Sequence, residues 1–162
     1  MEETNSMAAR PLPAEPYARG RHKKYPIPFK REVPGQMVAI CNNVHDDRGL
    51  HLITPFTRAV LQHELHELMV TDEQDARPGS VVNRTATLGF FEVSRSGLLA
   101  WGDELWIGNR LVGEVVGFDL THFPNHMNVV CLVKDKRLDG VTMGLKLGDQ
   151  LRFKLPEKGV RN

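Results

Sequence analysis

Apolar and polar positions alternate over short stretches along most of this chain, and Gly, Pro, Asn and Asp punctuate them. Gln36–Cys41 follows Pro34-Gly35, and Leu50–Ile53 follows a polar run at 42–48. Further apolar segments lie at Ser80–Asn83, Ala86–Val93, Glu104–Ile107, Arg110–Phe118, Asn128–Lys134 and Gln150–Leu155. Their lengths and their content of Val, Ile, Phe and Thr predict strands. One stretch differs: Phe56, Val60, Leu61, Leu65, Leu68 and Met69 recur at three- and four-residue steps in a run free of Gly and Pro. With Thr54-Pro55 as N-cap and first-turn residue, the pattern predicts one amphipathic helix over about 55–69. The expected fold is mainly β, a small closed or partly closed barrel with that helix across one end, since closure removes exposed strand edges.

Two segments align without gaps, Leu99-Ala100-Trp101-Gly102-Asp103-Glu104-Leu105-Trp106-Ile107 and Leu145-Lys146-Leu147-Gly148-Asp149-Gln150-Leu151-Arg152-Phe153. Glycine permits φ > 0 and the following Asp can accept from nearby backbone N–H groups, so each copy reads as a tight turn launching a strand. The repeated segment resembles the GD box of cradle-loop β-barrels. That resemblance implies a barrel and little about activity, because such barrels host enzymes, DNA-binding dimers and ribosomal proteins. Pro34-Gly35-Gln36-Met37-Val38 and Pro78-Gly79-Ser80-Val81-Val82 read as degenerate counterparts without the Asp.

Length and charge narrow the picture. A chain of 162 residues with 41% hydrophobic and 25% charged residues suits one globular domain, placed at 33–157. Residues 1–32 hold Pro11, Pro13, Pro16, Pro26 and Pro28 among seven Lys/Arg and four Asp/Glu, and are expected to form an extended or disordered basic arm. The arm carries +3 of a net +1, so the remainder carries about −2, which argues against nucleic-acid binding. No apolar run approaches 18 residues and no signal-peptide core follows the first Met, so the expectation is cytoplasmic, without a membrane partner. Cys41 and Cys131 require no disulfide.

Candidate chemistry concentrates in one loop. Asp119, Thr121, His122, Asn125, His126 and Asn128 lie between two apolar strands. Three readings stand open there. His122 and His126 act as acid and base with Asp119 orienting them; or both ligate a metal with a third ligand from elsewhere; or the polar side chains hold a long turn around Pro124. Pro124 disfavours the helix that would put both rings on one face, so no metal ligand is assigned. His63-Glu64-Leu65-His66-Glu67 fails the H-E-x-x-H spacing, and on a helix both histidines would face solvent, opposite the leucines.

The leading expectation is a small-molecule-binding barrel, functioning as a cofactor-independent acid/base enzyme of isomerase, lyase or cyclase type. His122, His126 and Asp119 form its centre, Thr121, Asn125 and Asn128 hold the ligand, and Arg84 or Arg110 anchors an anion. Cofactor independence rests only on absent nucleotide motifs, so the cofactor is left unknown. The alternatives are a non-catalytic homo-oligomeric scaffold, homodimer or larger, with Trp101 and Trp106 at its interface, and a His-ligated metal enzyme.

Overall fold

The computed structural model describes residues 27–157; most of the expected arm, 1–26, lies outside them. Seven strands close into a barrel: β1 (Val33–His45), β4 (Leu65–Thr71), β6 (Thr85–Val93), β8 (Glu104–Ile107), β9 (Arg110–Asp119), β10 (Asn128–Val133) and β11 (Gln150–Lys154), in the order β1-β11-β8-β9-β10-β4-β6. A ring of seven strands cannot alternate direction all the way round. Here the odd contact is β10–β4, the one parallel pair in the ring. Two ribbons lie outside it: β2 (Leu50–His51) with β5 (Val81–Val82), and β3 (Thr57–Val60) with β7 (Gly97–Ala100).

The core has two compartments. Met37, Leu68, Val70, Leu88, Phe91, Leu105, Phe118 and Phe153 are among those filling the barrel. A smaller cluster, Leu50, Leu52, Met69, Val82, Val116 and Val130, packs the β2–β5 ribbon onto the outer wall. Burying about 25 cal/mol per Å² of apolar surface, such a second layer stabilises the wall strands from both sides. It also explains the segment expected to be a helix over 55–69, which is instead β3, a turn containing His63 at φ 72°, and β4. Strand β4 sends His66, Leu68 and Val70 to one face and Met69 to the other, and all four are buried. A strand covered on both faces loses its alternation and mimics helical spacing. His66 is therefore buried, while Leu61 and Leu65 are exposed.

Among the described residues the one helix is short: α1 (Gly140–Met143), capped by the Asp139 carboxylate accepting from Thr142 N–H (2.8 Å) and closed by Gly144 at φ 80°. Pro34-Gly35, read as a degenerate turn, lies within β1, where Gly35 pairs with Val93 and Leu151.

Both Gly-Asp turns are real and are bonded alike. Asp103 Oδ2 accepts from Ala100 N–H and Asp149 Oδ2 from Lys146 N–H, each at 2.9 Å. Each turn also clips the neighbouring strand. Gly102 N–H donates to Val115 O (2.7 Å) and Val115 N–H to Asp103 O (2.8 Å); Gly148 N–H donates to Met37 O (2.8 Å) and Met37 N–H to Asp149 O (2.9 Å). They differ in burial: Asp103 is fully buried, with Lys30 Nζ 2.9 Å from its Oδ2, whereas Asp149 is only partly buried.

Candidate functional site

The 119–128 loop joins β9 to β10, and Asp119 fastens it. Its carboxylate accepts from Thr121 N–H (3.0 Å), Thr121 Oγ1 (3.0 Å), Asn128 Nδ2 (3.0 Å) and His51 N–H of the outer ribbon (3.1 Å). With four donors on one buried carboxylate, Asp119, Thr121 and Asn128 form a structural knot, and neither histidine bonds to it.

The carboxylate facing the imidazole comes from β4. Glu67 Oε2 lies 3.2 Å from His126 Nε2, and the two side chains are only 13% and 12% exposed. Parallel pairing puts Glu67 opposite Asn128, so the end of the loop, with His126 two residues earlier, runs beside β4. The backbone of Met127 is held on both sides, its N–H by His66 Nδ1 (3.1 Å) and its carbonyl by Glu67 N–H (3.0 Å). A backbone N–H can only donate, so the proton of neutral His66 sits on Nε2, facing Glu64 at 3.0 Å. Thr87 Oγ1 lies 3.4 Å from Glu67 Oε1. The edge of the His126 ring meets Phe90, with centroids 5.0 Å apart.

The outer side of His126 is more open. Asn125 Nδ2 lies 3.2 Å from Nδ1; with the amide donating, the ring proton sits on Nε2 toward Glu67. The His122 ring stacks on His126 with centroids 5.1 Å apart, and Arg48 Nη2 lies 3.4 Å from His122 Nε2. The loop thus gathers His122, His126 and Asn125 with Glu67 and Arg48. Neither of the latter was singled out by sequence, because their approach depends on long-range strand pairing and the path of the outer ribbon. Cys41 also lies near Glu67. Burial raises its thiol pKa, and the Glu67 and Asp139 carboxylates raise it further.

The two arginines expected to anchor an anion lie elsewhere. Arg84 binds Asp72 in a fork (Nε–Oδ1 2.9 Å, Nη2–Oδ2 2.7 Å) within a network shared with Asp46 and Arg137. Arg110 opens β9, and at about 3.4 Å per residue this ten-residue strand sets it roughly 30 Å from Asp119. Trp106 is half-buried; its indole N–H donates to Glu104, and Arg152 and Lys154 lie over its ring. Among the described residues no three His, Cys, Asp or Glu side chains converge as metal ligands, and no helix is long and apolar enough to cross a membrane.

Residues 28–154 match the model of a family of unknown function, DUF6917, and the chain belongs to that family. No curated protein and no solved structure matches it.

Proposed function

Starting from membership of a family without an assigned activity, we propose that this barrel binds a small organic acid at the 119–128 loop and moves a proton on it, with His126 as acid and base. The observation that carries the reading is the His126–Glu67 contact: an imidazole with one nitrogen against a nearly buried carboxylate and the other turned outward. In such a pair the carboxylate fixes the ring and stabilises the imidazolium, while the second nitrogen exchanges protons. Nδ1 is that nitrogen. The Asn125 amide occupies the position that an acidic C–H or O–H of the substrate would take. His126 Nδ1 accepts the substrate proton, Glu67 holds the Nε2–H of the resulting imidazolium, and the same proton returns to another substrate atom. Arg48, beside His122, supplies the anion anchor in place of Arg84 and Arg110. The repeated bonding of the two Gly-Asp turns supports placing the barrel among the cradle-loop superfamily.

Solvent-deuterium exchange tests the reading. The protein is incubated in D2O with a panel of small enolisable 2-oxo acids, and loss of C–H signal is followed by proton NMR. Wild type accelerates exchange of at least one member. His126→Gln abolishes the acceleration, and Glu67→Gln lowers it about 100-fold or more, the scale of a positioned acid–base group. No acceleration anywhere in the panel, or exchange insensitive to His126→Gln, overturns it.

A further inference from the structure

A concave feature opens at the end of the barrel far from the 119–128 loop, where the β8–β9 hairpin tip, the exit of α1 and the second Gly-Asp turn meet around about 240 Å³ of space. Its floor is apolar: Ile107, Val112, Met143 and Leu145 all belong to or pack against the main core. Its rim is polar, and Gly108, Asp149 and Gln150 each already hold a hydrogen bond. Asp149 Oδ2 accepts from Lys146 N–H (2.9 Å), Gln150 Nε2 donates to Gly148 O (3.1 Å), and Gly108 N–H donates to Gln150 O (2.8 Å).

Arg110 is the exception. Among the described residues its guanidinium makes no hydrogen bond, and its nearest carboxylate oxygen, Asp135 Oδ2, stands 3.9 Å away with both side chains more than half exposed. A barrel mouth with an apolar floor and one planar cation that is only loosely paired, its hydrogen-bond donors still open, is a receptor for a compact amphipathic anion. We propose that this mouth binds a small monocarboxylate, its carboxylate forked on Arg110 and its hydrocarbon body on Ile107, Val112, Met143 and Leu145. A volume below the roughly 300 to 1,000 Å³ of drug-sized pockets limits the body to a short branched chain or a single ring. A planar carboxylate matches the guanidinium fork in geometry and charge. A phosphate dianion would set two negative charges against one cation and the neighbouring Asp135 and Asp149 carboxylates. The site stands at the opposite end of β9 from His126, so its occupancy is independent of the proton-transfer reading.

Benzoate, isovalerate and inorganic phosphate are titrated into the full 162-residue chain and followed by amide chemical shifts. Saturable shifts are expected at Gly108, Leu145 and Gln150 for benzoate or isovalerate, with a Kd of roughly a millimolar for ligands of this size. Arg110→Gln, at an exposed position that leaves the core intact, weakens binding about tenfold or more. His126→Gln leaves it unchanged, which separates this site from the loop. No saturable shift at these amides, equal shifts with phosphate, or binding unaffected by Arg110→Gln would overturn the proposal.

Discussion

Replacing Lys30 by Met keeps the length of the side chain and removes its charge from one of the most buried ion pairs of the molecule. Lys30 Nζ stands 2.9 Å from Asp103 Oδ2, and the two side chains are 6% and 0% exposed. Burial pushes the Asp103 carboxyl above the usual range, while the Lys30 charge, its contact with the carboxylate and the bond from Ala100 N–H pull it back. Removing one partner of a buried pair typically costs about 3–5 kcal/mol, because the remaining charge is left uncompensated. At pH 8 the expected loss is at the lower end, about 3 kcal/mol, since Asp103 keeps its bond from Ala100.

The cost must depend on pH, and its sign is fixed. A carboxyl whose folded pKa lies above its unfolded value near 3.8 takes up more protons when native, so stability falls as pH rises from the unfolded to the folded value. Without Lys30 that window widens upward. The penalty should therefore shrink as pH is lowered toward about 4, where a protonated carboxyl needs no cation. Urea unfolding of wild type and Lys30→Met from pH 4.5 to pH 8, two values chosen on the order of the carboxylate and neutral ranges, measures this directly. The double variant Lys30→Met/Asp103→Asn should recover more than half the loss at pH 8. A penalty under about 1 kcal/mol, or one constant with pH, would refute the reasoning.

Other consequences can be checked singly. Asp119→Asn exchanges a four-donor acceptor for an amide whose NH2 faces donors; a loss of about 3 kcal/mol in urea unfolding and faster amide exchange across 119–128 are expected, and an unchanged midpoint would argue against the knot. Arg84→Ala removes the bond that does most to hold Asp72 below the usual carboxylate range; that group's contribution is present above its unfolded pKa and lost as pH falls through the folded one, so the acid-unfolding midpoint should move to higher pH. Gly113→Ala would drive a Cβ into the Leu132 carbonyl of β10, where only backbone could yield, and should cost about 2 kcal/mol or more by thermal unfolding.

The sequence disclosed what is local. Gly102-Asp103 and Gly148-Asp149 announced their turns because the Gly conformation and the Asp acceptor act within four residues. Strands with one solvated face, such as β8, showed themselves by alternation. What stayed hidden was non-local. Strand β4 has the spacing of a helix because the outer ribbon covers its second face, and a helix over that segment hides the pairing that brings Glu67 to the loop. The 119–128 loop was identifiable as a polar concentration between apolar strands, yet the choice between Asp119 and Glu67 as partner of His126 depends on the β4–β10 register, and no local pattern encodes a parallel register.

The ring is sealed by β1 against β11, Val33 opposite Phe153. During synthesis β1 can pair with β6 early, but β8 and the other edge of β1 must wait for β11 before either is covered. Until then the nascent chain offers two open strand edges flanking an unfinished interior, a natural place for a chaperone to hold and for premature termination to produce aggregates. A closure joining positions so distant along the chain also predicts slow folding, paced by that last strand.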